Sequence, residues 1–336
     1  DANRKEREFH LFAELVDLVA RQTDKLRALS RLVAETDALL SLSQVADEWR
    51  YVRPSLVNER ILELEDSRHP VIERLMPGGE AFVPNSIHLA EKENRLCILT
   101  GPNMGGKSTV MRQAALTAIM AHMGSFVPAK SAKIGLFNRV FTRVGASDDL
   151  SQGNSTFMVE MIETATILRD ANEHSLVILD EIGRGTSTYD GISIAWAVAE
   201  FLYEHSKCLT MFATHYHELT ALSDENQGVS NFSVAVRQDG ERIVFLRQLV
   251  QGAANRSYGI QVAGLAGLPG SVQERAKAIL TSLEAARGKN APTKSKNDHS
   301  NSAAQKIAQL SLFGGPPAQP KEHRTETPAR LNNLVK

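Results

Sequence analysis

The sequence predicts an α/β fold, because short apolar runs alternate with longer helical stretches. Four apolar runs have the length of buried strands: residues 95–100, 175–179, 208–213 and 242–246. Three stretches between them have the apolar spacing and length of helices: residues 108–123, 157–173 and 192–205. Strands and helices in this alternation indicate a sheet with helices packed on it.

The composition excludes few function classes. Hydrophobic residues make up 42% of the chain and charged residues 23%, which is typical of a globular protein. The formal net charge of −1 gives no support for nucleic-acid binding through the overall field, although a local basic face stays open. Since no apolar run reaches the roughly 18 residues of a membrane span, we expect none.

The first part of the chain has a different pattern. Apolar residues such as Phe9, Phe12, Leu15 and Val19 recur at helical spacing among charged residues. This spacing predicts a long amphipathic helix, or a helix pair, that reaches about Leu42. We assign residues 1–52 to a helical segment that packs on other structure and residues 53–250 to the α/β domain.

A phosphate-binding loop follows the first of the four strands. The run fits the pattern G-x-x-x-x-G-K-[ST] at every fixed position: Gly101, Pro102, Asn103, Met104, Gly105, Gly106, Lys107 and Ser108. Backbone N–H groups and the helix N-terminus after this loop suit the phosphates of ATP or ADP. Lys107 is expected to reach the β- and γ-phosphates, and the Ser108 hydroxyl to bind Mg²⁺. The loop in this context predicts a P-loop NTPase.

Two acidic residues end the second strand. Asp180 and Glu181 directly follow the run at residues 175–179, at the sheet edge where α/β folds bind ligands. We expect Asp180 to hold Mg²⁺, directly or through water, and Glu181 to act on the attacking water as a general base. His215 follows the third strand and is predicted to contact the γ-phosphate or that water.

Five motifs in this order resemble the ATPase module of the MutS family of DNA mismatch-repair proteins. They are TGPNMGGKST at residues 100–109, FTRVGASDD at 141–149, STFMVEM at 155–161, LDEIGRGTSTYDG at 179–191 and FATHY at 212–216. The resemblance runs from about residue 54 to residue 283, and the preceding helices are similar to the family's core and lever region. It implies an ABC-type ATPase that works as a dimer with composite sites.

The resemblance also implies roles for single residues. Ser155 matches the signature serine that reaches the γ-phosphate bound by the partner subunit. Thr109 belongs to the nucleotide-binding motif, and Phe82 aligns with the aromatic residue that stacks on adenine, although core packing explains Phe82 equally well. Arg247 departs from the family pattern and is left out of the predicted site. The transporter-like run at residues 150–153 is similar to the signature of transporter ATPases. We interpret this similarity as superficial, because the family pattern assigns the signature role to Ser155.

Two further segments follow the ATPase module. Residues 251–287 resemble the family's helix-turn-helix dimerisation segment, in which Ser271 is expected to cap a helix whose apolar residues face inward. Residues 288–336 are basic and predicted to be disordered. Within them, a short run resembles the peptide by which bacterial repair proteins bind the sliding clamp, with an oligomerisation helix as the alternative: Gln309, Leu310, Ser311, Leu312 and Phe313.

The family resemblance implies a bacterial, cytoplasmic and nucleoid-associated homodimer that works with a MutL-type repair partner. In the family, DNA contacts come mainly from N-terminal parts, and nothing before Phe82 resembles the mismatch-reading domain. We therefore expect ATP hydrolysis without discrimination between mismatched and matched duplexes. Two alternatives stay open: an ABC-type engine of a transporter or chromosome-organising protein, and a scaffold that binds ATP without hydrolysing it.

Overall fold

The computed structural model describes residues 2–77, 80–145, 155–239, 242–254 and 258–289. The chain divides into two compact units, Asp1–Val262 and Ala263–Lys336. Several of the segments named above lie outside the described residues: residues 146–149 of the second family motif, the transporter-like run at 150–153, and the tail from residue 290 on, which was predicted to be disordered and contains the predicted clamp-binding run at 309–313.

Two long helices form the first part of the chain. Helix α1 spans Ala2–Ala20 and α2 spans Thr23–Glu48, so the predicted helix pair extends past Leu42. No residue of either helix is buried, and Phe9 is 71% exposed. The amphipathic spacing therefore correctly indicates helix. The prediction that this segment is packed holds only at the end of α2, where Leu42, Val45 and Ala46 are half-buried, because the described residues leave the rest of its apolar side exposed.

The described residues contain ten strands in two sheets. The strands are β1 (Ser55–Val57), β2 (Ile61–Ser67), β3 (Asn85–Ala90), β4 (Leu96–Thr100), β5 (Ser131–Gly135), β6 (Arg139–Arg143), β7 (Ser175–Asp180), β8 (Leu209–Ala213), β9 (Val229–Asp239) and β10 (Arg242–Gln251). The smaller sheet has the order β1-β5-β2-β3, and the larger sheet has the order β10-β9-β4-β8-β7-β6. The larger sheet contains all four predicted strands.

The larger sheet is parallel from β9 to β6. Strand β8 pairs in parallel with both β4 and β7, and β10 runs antiparallel to β9 at the edge. In register, Leu99 and Asp180 are both paired with Ala213. The carboxyl ends of β4, β8 and β7 therefore lie side by side at one edge of the sheet.

Helices connect these strands. The α-helices that follow α2 in the first unit are α3 (Ile72–Leu75), α4 (Lys107–His122), α5 (Thr156–Asp170), α6 (Thr188–Phe201) and α7 (Leu222–Glu225). A π-helix at Leu202–Ser206 continues α6, and a 3-10 helix at His217–Ala221 precedes α7. The three predicted helices correspond to α4, α5 and α6, with shifts of a few residues at their ends.

Both faces of the larger sheet are covered, which explains why its central strands are apolar throughout. On β4, Cys97 and Leu99 face a core built with α4 and the smaller sheet, including Met111. The alternate residues Leu96 and Ile98 face a second core built with α5 and α6. The sheet and its helices confirm the predicted α/β class.

Helices α8 (Gly259–Leu265) and α9 (Gly270–Lys289) follow the larger sheet. Because α9 begins at Gly270, Ser271 lies in its first turn, and the prediction that Ser271 caps this helix is wrong. Val272 and Ile279, which the sequence analysis expects to face inward, are 48% and 43% exposed, and the inward-facing arrangement stays a prediction. No helix in the described ranges is long and apolar enough to cross a membrane.

Replacing a core residue of β8 tests this architecture. Phe212 is fully buried, and we expect Phe212→Ala to cost about 3–5 kcal/mol of unfolding free energy through lost contacts and a cavity. Urea unfolding measures the change. Phe9→Ala, on the exposed side of α1, is the matched control and should stay within about 0.5 kcal/mol of the original chain. Equal losses in the two variants would contradict the assigned core.

Candidate active site

The loop between β4 and α4 follows the phosphate-loop pattern and has a strained backbone. Gly101, Met104 and Gly106 have positive φ angles of 125°, 66° and 106°. Gly106 directly precedes α4, where a side chain at that φ would be strained. Such a turn presents the N–H groups of the helix N-terminus towards one side, where the helix dipole favours an anion. The loop is therefore shaped to accept phosphate.

Lys107 lies across this loop. Its Nζ donates hydrogen bonds to the carbonyl oxygens of Gly101, at 2.6 Å, and of Pro102, at 3.1 Å. Burial lowers the pKa of Lys107, and the charges of Glu181 and Asp180 oppose that effect. The ammonium group thus lies close to both acidic residues at the end of β7.

Asp180 ends β7 with a carboxylate that is only partly satisfied. The Ser108 side chain lies beside it and lowers its pKa as a hydrogen-bond donor, and no described residue donates a hydrogen bond to its buried Oδ1. Burial raises the pKa of Asp180; the Ser108 hydrogen bond opposes burial, and the charge of Glu181 adds to it. A buried carboxylate oxygen without a donor, beside a hydroxyl, is the oxygen donor set that Mg²⁺ takes. The two side chains therefore fit a magnesium ion.

Glu181 has a left-handed backbone and a paired carboxylate. Its φ angle is 62°, and its backbone N–H donates to the carbonyl oxygen of Ala213 at 2.9 Å. One carboxylate oxygen is hydrogen-bonded to Nε2 of His215, and the other forms an ion pair with Arg184. Burial raises the pKa of Glu181, but the hydrogen bond and charge of His215, and the charges of Arg184 and Lys107, outweigh it and leave the pKa below its usual range.

Ser155 caps helix α5 rather than joining this cluster. Its Oγ accepts a hydrogen bond from the N–H of Met158 at 3.2 Å, as expected of a helix N-cap. Ser155 is exposed. Across the described residues, no hydrogen bond joins it to Lys107, Asp180 or Glu181. Within one chain, the structure therefore brings together Lys107, Ser108, Asp180, Glu181 and His215 but leaves Ser155 apart.

Phe82 lies beside the phosphate loop. It lines a cavity of about 300 Å³ with Met104, Gly106 and Thr109. Arg247, which the sequence analysis left out of the site, lines the same cavity and has a φ angle of 57°. A β-bulge between Phe245 and Leu249 places Arg247 there.

Comparison with known proteins gives the family. The model of MutS domain V matches residues 97–284, which is more than half of the chain. The chain belongs to the MutS family. The matched range begins in β4 and includes Lys107, Ser155, Asp180, Glu181 and His215, whereas Phe82 precedes it. The resemblance stated from the five motifs is confirmed.

Several relatives share high sequence identity with this MutS-family chain. A DNA mismatch repair protein MutS of Symbiobacterium thermophilum is 58% identical over 281 residues, covering 84% of this chain and 32% of that protein. A protein of the same name from Anaeromyxobacter dehalogenans is 54% identical over 326 residues, covering 93% and 37%. One from Acetivibrio thermocellus is 54% identical over 279 residues, covering 83% and 32%. The chain spans about a third of the length of the curated relatives it matches.

Two residues at the candidate site of this MutS-family chain were not assigned to it from the sequence. Arg184 lies three residues after Glu181 and pairs with it, a spacing that could have suggested the contact. Arg247 reaches the cavity only because the side chain of Asn85 holds the bulge: it donates to the Arg247 carbonyl at 2.9 Å and accepts from the Leu249 N–H at 2.7 Å. No feature of the sequence predicts these two hydrogen bonds between the Asn85 side chain and the bulge in β10.

The pKa values of the two neighbouring carboxyls should be shifted in opposite directions from their ordinary values. We expect the pKa of Asp180 to lie above its usual range because of burial, and that of Glu181 below its usual range because of His215, Arg184 and Lys107. Carbon-13 NMR of the side-chain carboxyls across a pH titration measures both. Asp180→Asn and Glu181→Gln assign the signals by removing one each. An Asp180 pKa at or below the usual range of an aspartate, or a Glu181 pKa at or above that of a glutamate, would contradict the electrostatic description.

Proposed function

We propose that this MutS-family chain is a P-loop ATPase of the ABC type that binds Mg-ATP on residues 101–109 and hydrolyses it to ADP and phosphate. Domain V is the family's ATPase domain, which supports the proposal. The observation that carries it is the convergence of Lys107, Ser108, Asp180, Glu181 and His215 at one sheet edge, with an unsatisfied carboxylate oxygen on Asp180.

Phosphate binding is assigned to the loop and to Lys107. The N–H groups at the start of α4 and the backbone of Gly105 and Gly106 would surround the β- and γ-phosphates. The hydrogen bonds of Lys107 to Gly101 and Pro102 hold its ammonium group at the loop. There it would neutralise negative charge that develops during phosphoryl transfer.

Ser108 and Asp180 would hold the magnesium ion. The ion would supply charge neutralisation and orientation of the phosphate oxygens. The raised pKa of Asp180 fits this assignment, since burial without a cation disfavours its ionised form. The Ser108 hydroxyl that contacts Asp180 supplies a second oxygen at the same point.

Glu181 and His215 would act on the water. The oxygen of water attacks the γ-phosphorus, the bond to the bridging oxygen breaks, and ADP leaves with the electron pair of that bond. Glu181 orients the water and accepts its proton as general base, which requires an ionised carboxylate. The lowered pKa of Glu181 supports that state, and His215 holds one of its oxygens.

The cavity beside the loop would take the base. Phe82 is half-buried there and would stack its ring on adenine. Because the same cavity is lined by Gly106 and Thr109, a base on Phe82 would be continuous with phosphates on the loop.

A homodimer would complete the site. Ser155 caps α5 at an exposed helix N-terminus, where an anion such as the partner's γ-phosphate is favoured. The exposed apolar residues of α9, Val272 and Ile279, support a partner-facing role for residues 251–287. Residues 185–190 would link the two composite sites.

For the longer protein, we propose a bacterial mismatch-repair role in which nucleotide state switches the dimer for signalling. The relatives named above support this assignment. The same proposal includes DNA binding through other parts of the protein and a MutL-type partner. It also includes a nucleoid-associated cytoplasmic location and binding of the sliding clamp through residues 309–313. Membership of the MutS family disfavours the ATPase of a transporter. The pairing of Glu181 with His215 and Arg184 disfavours a scaffold that binds ATP without hydrolysing it.

ATP turnover per subunit, measured over a wide range of protein concentration, tests the enzyme and its dimer. We expect specific activity to rise with concentration, because Ser155 would act on the partner's nucleotide. Glu181→Gln should lower kcat by about 10²–10⁴-fold, the usual contribution of a general base. Ser155→Ala should lower kcat in the concentrated range and remove the concentration dependence.

Three results separate the parts of this proposal. Turnover that survives Glu181→Gln would reject Glu181 as the base. Turnover that is independent of concentration in a chain shown to be monomeric would reject the role of Ser155 and leave the ATPase. No turnover at any concentration, with tight ATP binding, would favour the scaffold.

The magnesium assignment is tested by Asp180→Asn. We expect the Mg²⁺ concentration for half-maximal turnover to rise about tenfold or more, since a lost contact to a charged group costs about 1.5–3 kcal/mol. Asp170→Asn, at the end of α5 and paired with Arg139, is the matched control and should leave the Mg²⁺ dependence unchanged. Equal Mg²⁺ dependence in the two variants would remove Asp180 from the site.

A further inference from the structure

The turn after Glu181 is held at a single residue, Gly183, from two sides. The Gly183 N–H donates a 2.5 Å hydrogen bond to Oε1 of Glu160, on helix α5. The Gly183 carbonyl oxygen accepts a 2.9 Å hydrogen bond from the Tyr216 hydroxyl. Tyr216 directly follows His215, so this turn is fixed both to α5 and to the segment that carries the partner of Glu181.

Glu160 is a buried carboxylate with a defined orientation. Glu160 is 6% exposed, and Arg143 is 5% exposed. The second carboxylate oxygen of Glu160 lies 3.6 Å from Nη2 of Arg143. Arg143 is itself fixed, since Nη1 donates to the carbonyl oxygen of Gly145 at 2.7 Å and Nε lies 2.9 Å from Oε2 of Glu163. A buried ion pair costs desolvation, so it is weak evidence for stability.

The loop also lies directly against α5 at a second point. A Cβ added to Gly185 would meet the Cβ of Phe157 at 2.7 Å, so the backbone there touches the helix. A Cβ on Gly183, whose φ angle is 91°, would lie 2.6 Å from the carbonyl oxygen of Gly191. Close packing on two sides leaves the turn no room to shift while α5 stays in place.

This support is needed because Glu181 is strained. A left-handed backbone costs a residue with a side chain about 1–2 kcal/mol, and such a conformation persists only where the surroundings impose it. On its N-terminal side, Glu181 is held by its hydrogen bond to Ala213. On its C-terminal side, the Ile182 side chain is buried in the core, and the backbone of the next residue, Gly183, is held by Glu160 and Tyr216.

We propose that Glu160 is a positioning residue for Glu181: by accepting the Gly183 hydrogen bond, it fixes the turn that aims the Glu181 carboxylate at the water. The inference rests on the proposed ATPase function. Glu160 reaches the reaction only through the Gly183 backbone. Tyr216 supplies the matching donor, since a tyrosine hydroxyl is protonated at neutral pH; burial, and then the charge of Glu160, raise its pKa further.

Two substitutions at position 160 separate positioning from charge pairing. Glu160→Gln keeps the length and an accepting oxygen but loses the charge, whereas Glu160→Asp keeps the charge and withdraws the oxygen by one methylene. We expect Glu160→Asp to lower kcat by about 10–100-fold with KM changed less than about twofold, because a small misplacement of a reacting group is costly. Glu160→Gln should keep kcat within about threefold, since the acceptor at Gly183 remains.

Glu163→Gln is the matched control, since Glu163 lies on the same helix and contacts the same Arg143 but is half-exposed and is not bonded to Gly183. It should keep the original kcat. Thermal unfolding of each variant checks folding, and ATP turnover with Glu181→Gln as blank gives the rates. If Glu160→Asp does not fold, Tyr216→Phe replaces it, because this change removes the other bond to Gly183 and should likewise lower kcat while KM stays within about twofold.

Three results would overturn the inference. The first is a folded Glu160→Asp chain whose kcat equals that of Glu163→Gln. The second is a lowered kcat in Glu160→Gln with an unchanged kcat in Glu160→Asp, which would assign Glu160 to charge pairing with Arg143. The third, where Tyr216→Phe replaces Glu160→Asp, is an unchanged kcat in Tyr216→Phe. An original chain without turnover would overturn the proposed ATPase and the inference together, whereas an active original chain with an unaffected Asp variant would overturn the inference alone.

Discussion

The pairing of β8 with both β4 and β7 is the constraint on which the candidate site depends. Leu99 and Asp180 are both paired with Ala213, so the residues that follow the three strands emerge at the same level. The Thr214 N–H extends this alignment by donating to the Leu99 carbonyl oxygen at 3.0 Å. The phosphate loop, the two acidic residues and His215 are therefore brought together by backbone hydrogen bonds, before any side chain of the site interacts.

That backbone frame allows two adjacent carboxylates to have opposite chemistry. Asp180 and Glu181 are neighbours, and burial acts to raise the pKa of both. In Asp180 burial prevails, whereas in Glu181 the hydrogen bond and charge of His215 and the charges of Arg184 and Lys107 together outweigh it. The left-handed φ of Glu181 separates them, because it turns the second side chain towards His215 and Arg184. Asp180 keeps an unsatisfied oxygen suited to a cation, and Glu181 keeps the ionised state that a base requires.

The sequence predicted the parts of the site that are local in the chain. Lys107 and Ser108 lie in one contiguous motif, and Asp180 and Glu181 directly end a strand, so their neighbours in sequence are also their structural context. Arg247 could not be found this way, since its place depends on a bulge held by Asn85, far away in the chain. The strands of the smaller sheet were also missed, because β1, β2, β3 and β5 are short or carry charged residues. The role proposed for Glu160 could not be predicted from the sequence, because only the folded chain brings Glu160 to Gly183.

Helix α5 carries both residues for which separate roles are proposed, Ser155 and Glu160. Ser155 caps its first turn, and Glu160 lies about 7 Å further along the same helix axis. Because a continuous helix moves as a unit, a contact that displaces Ser155 would carry Glu160 with it, and the Gly183 hydrogen bond would pass that movement to the turn after Glu181. In the proposed dimer, the group that reaches the partner's nucleotide and the group that positions the chain's own base are therefore on one rigid element. Occupancy of one site would then bear on the geometry of the other without any change in the central sheet.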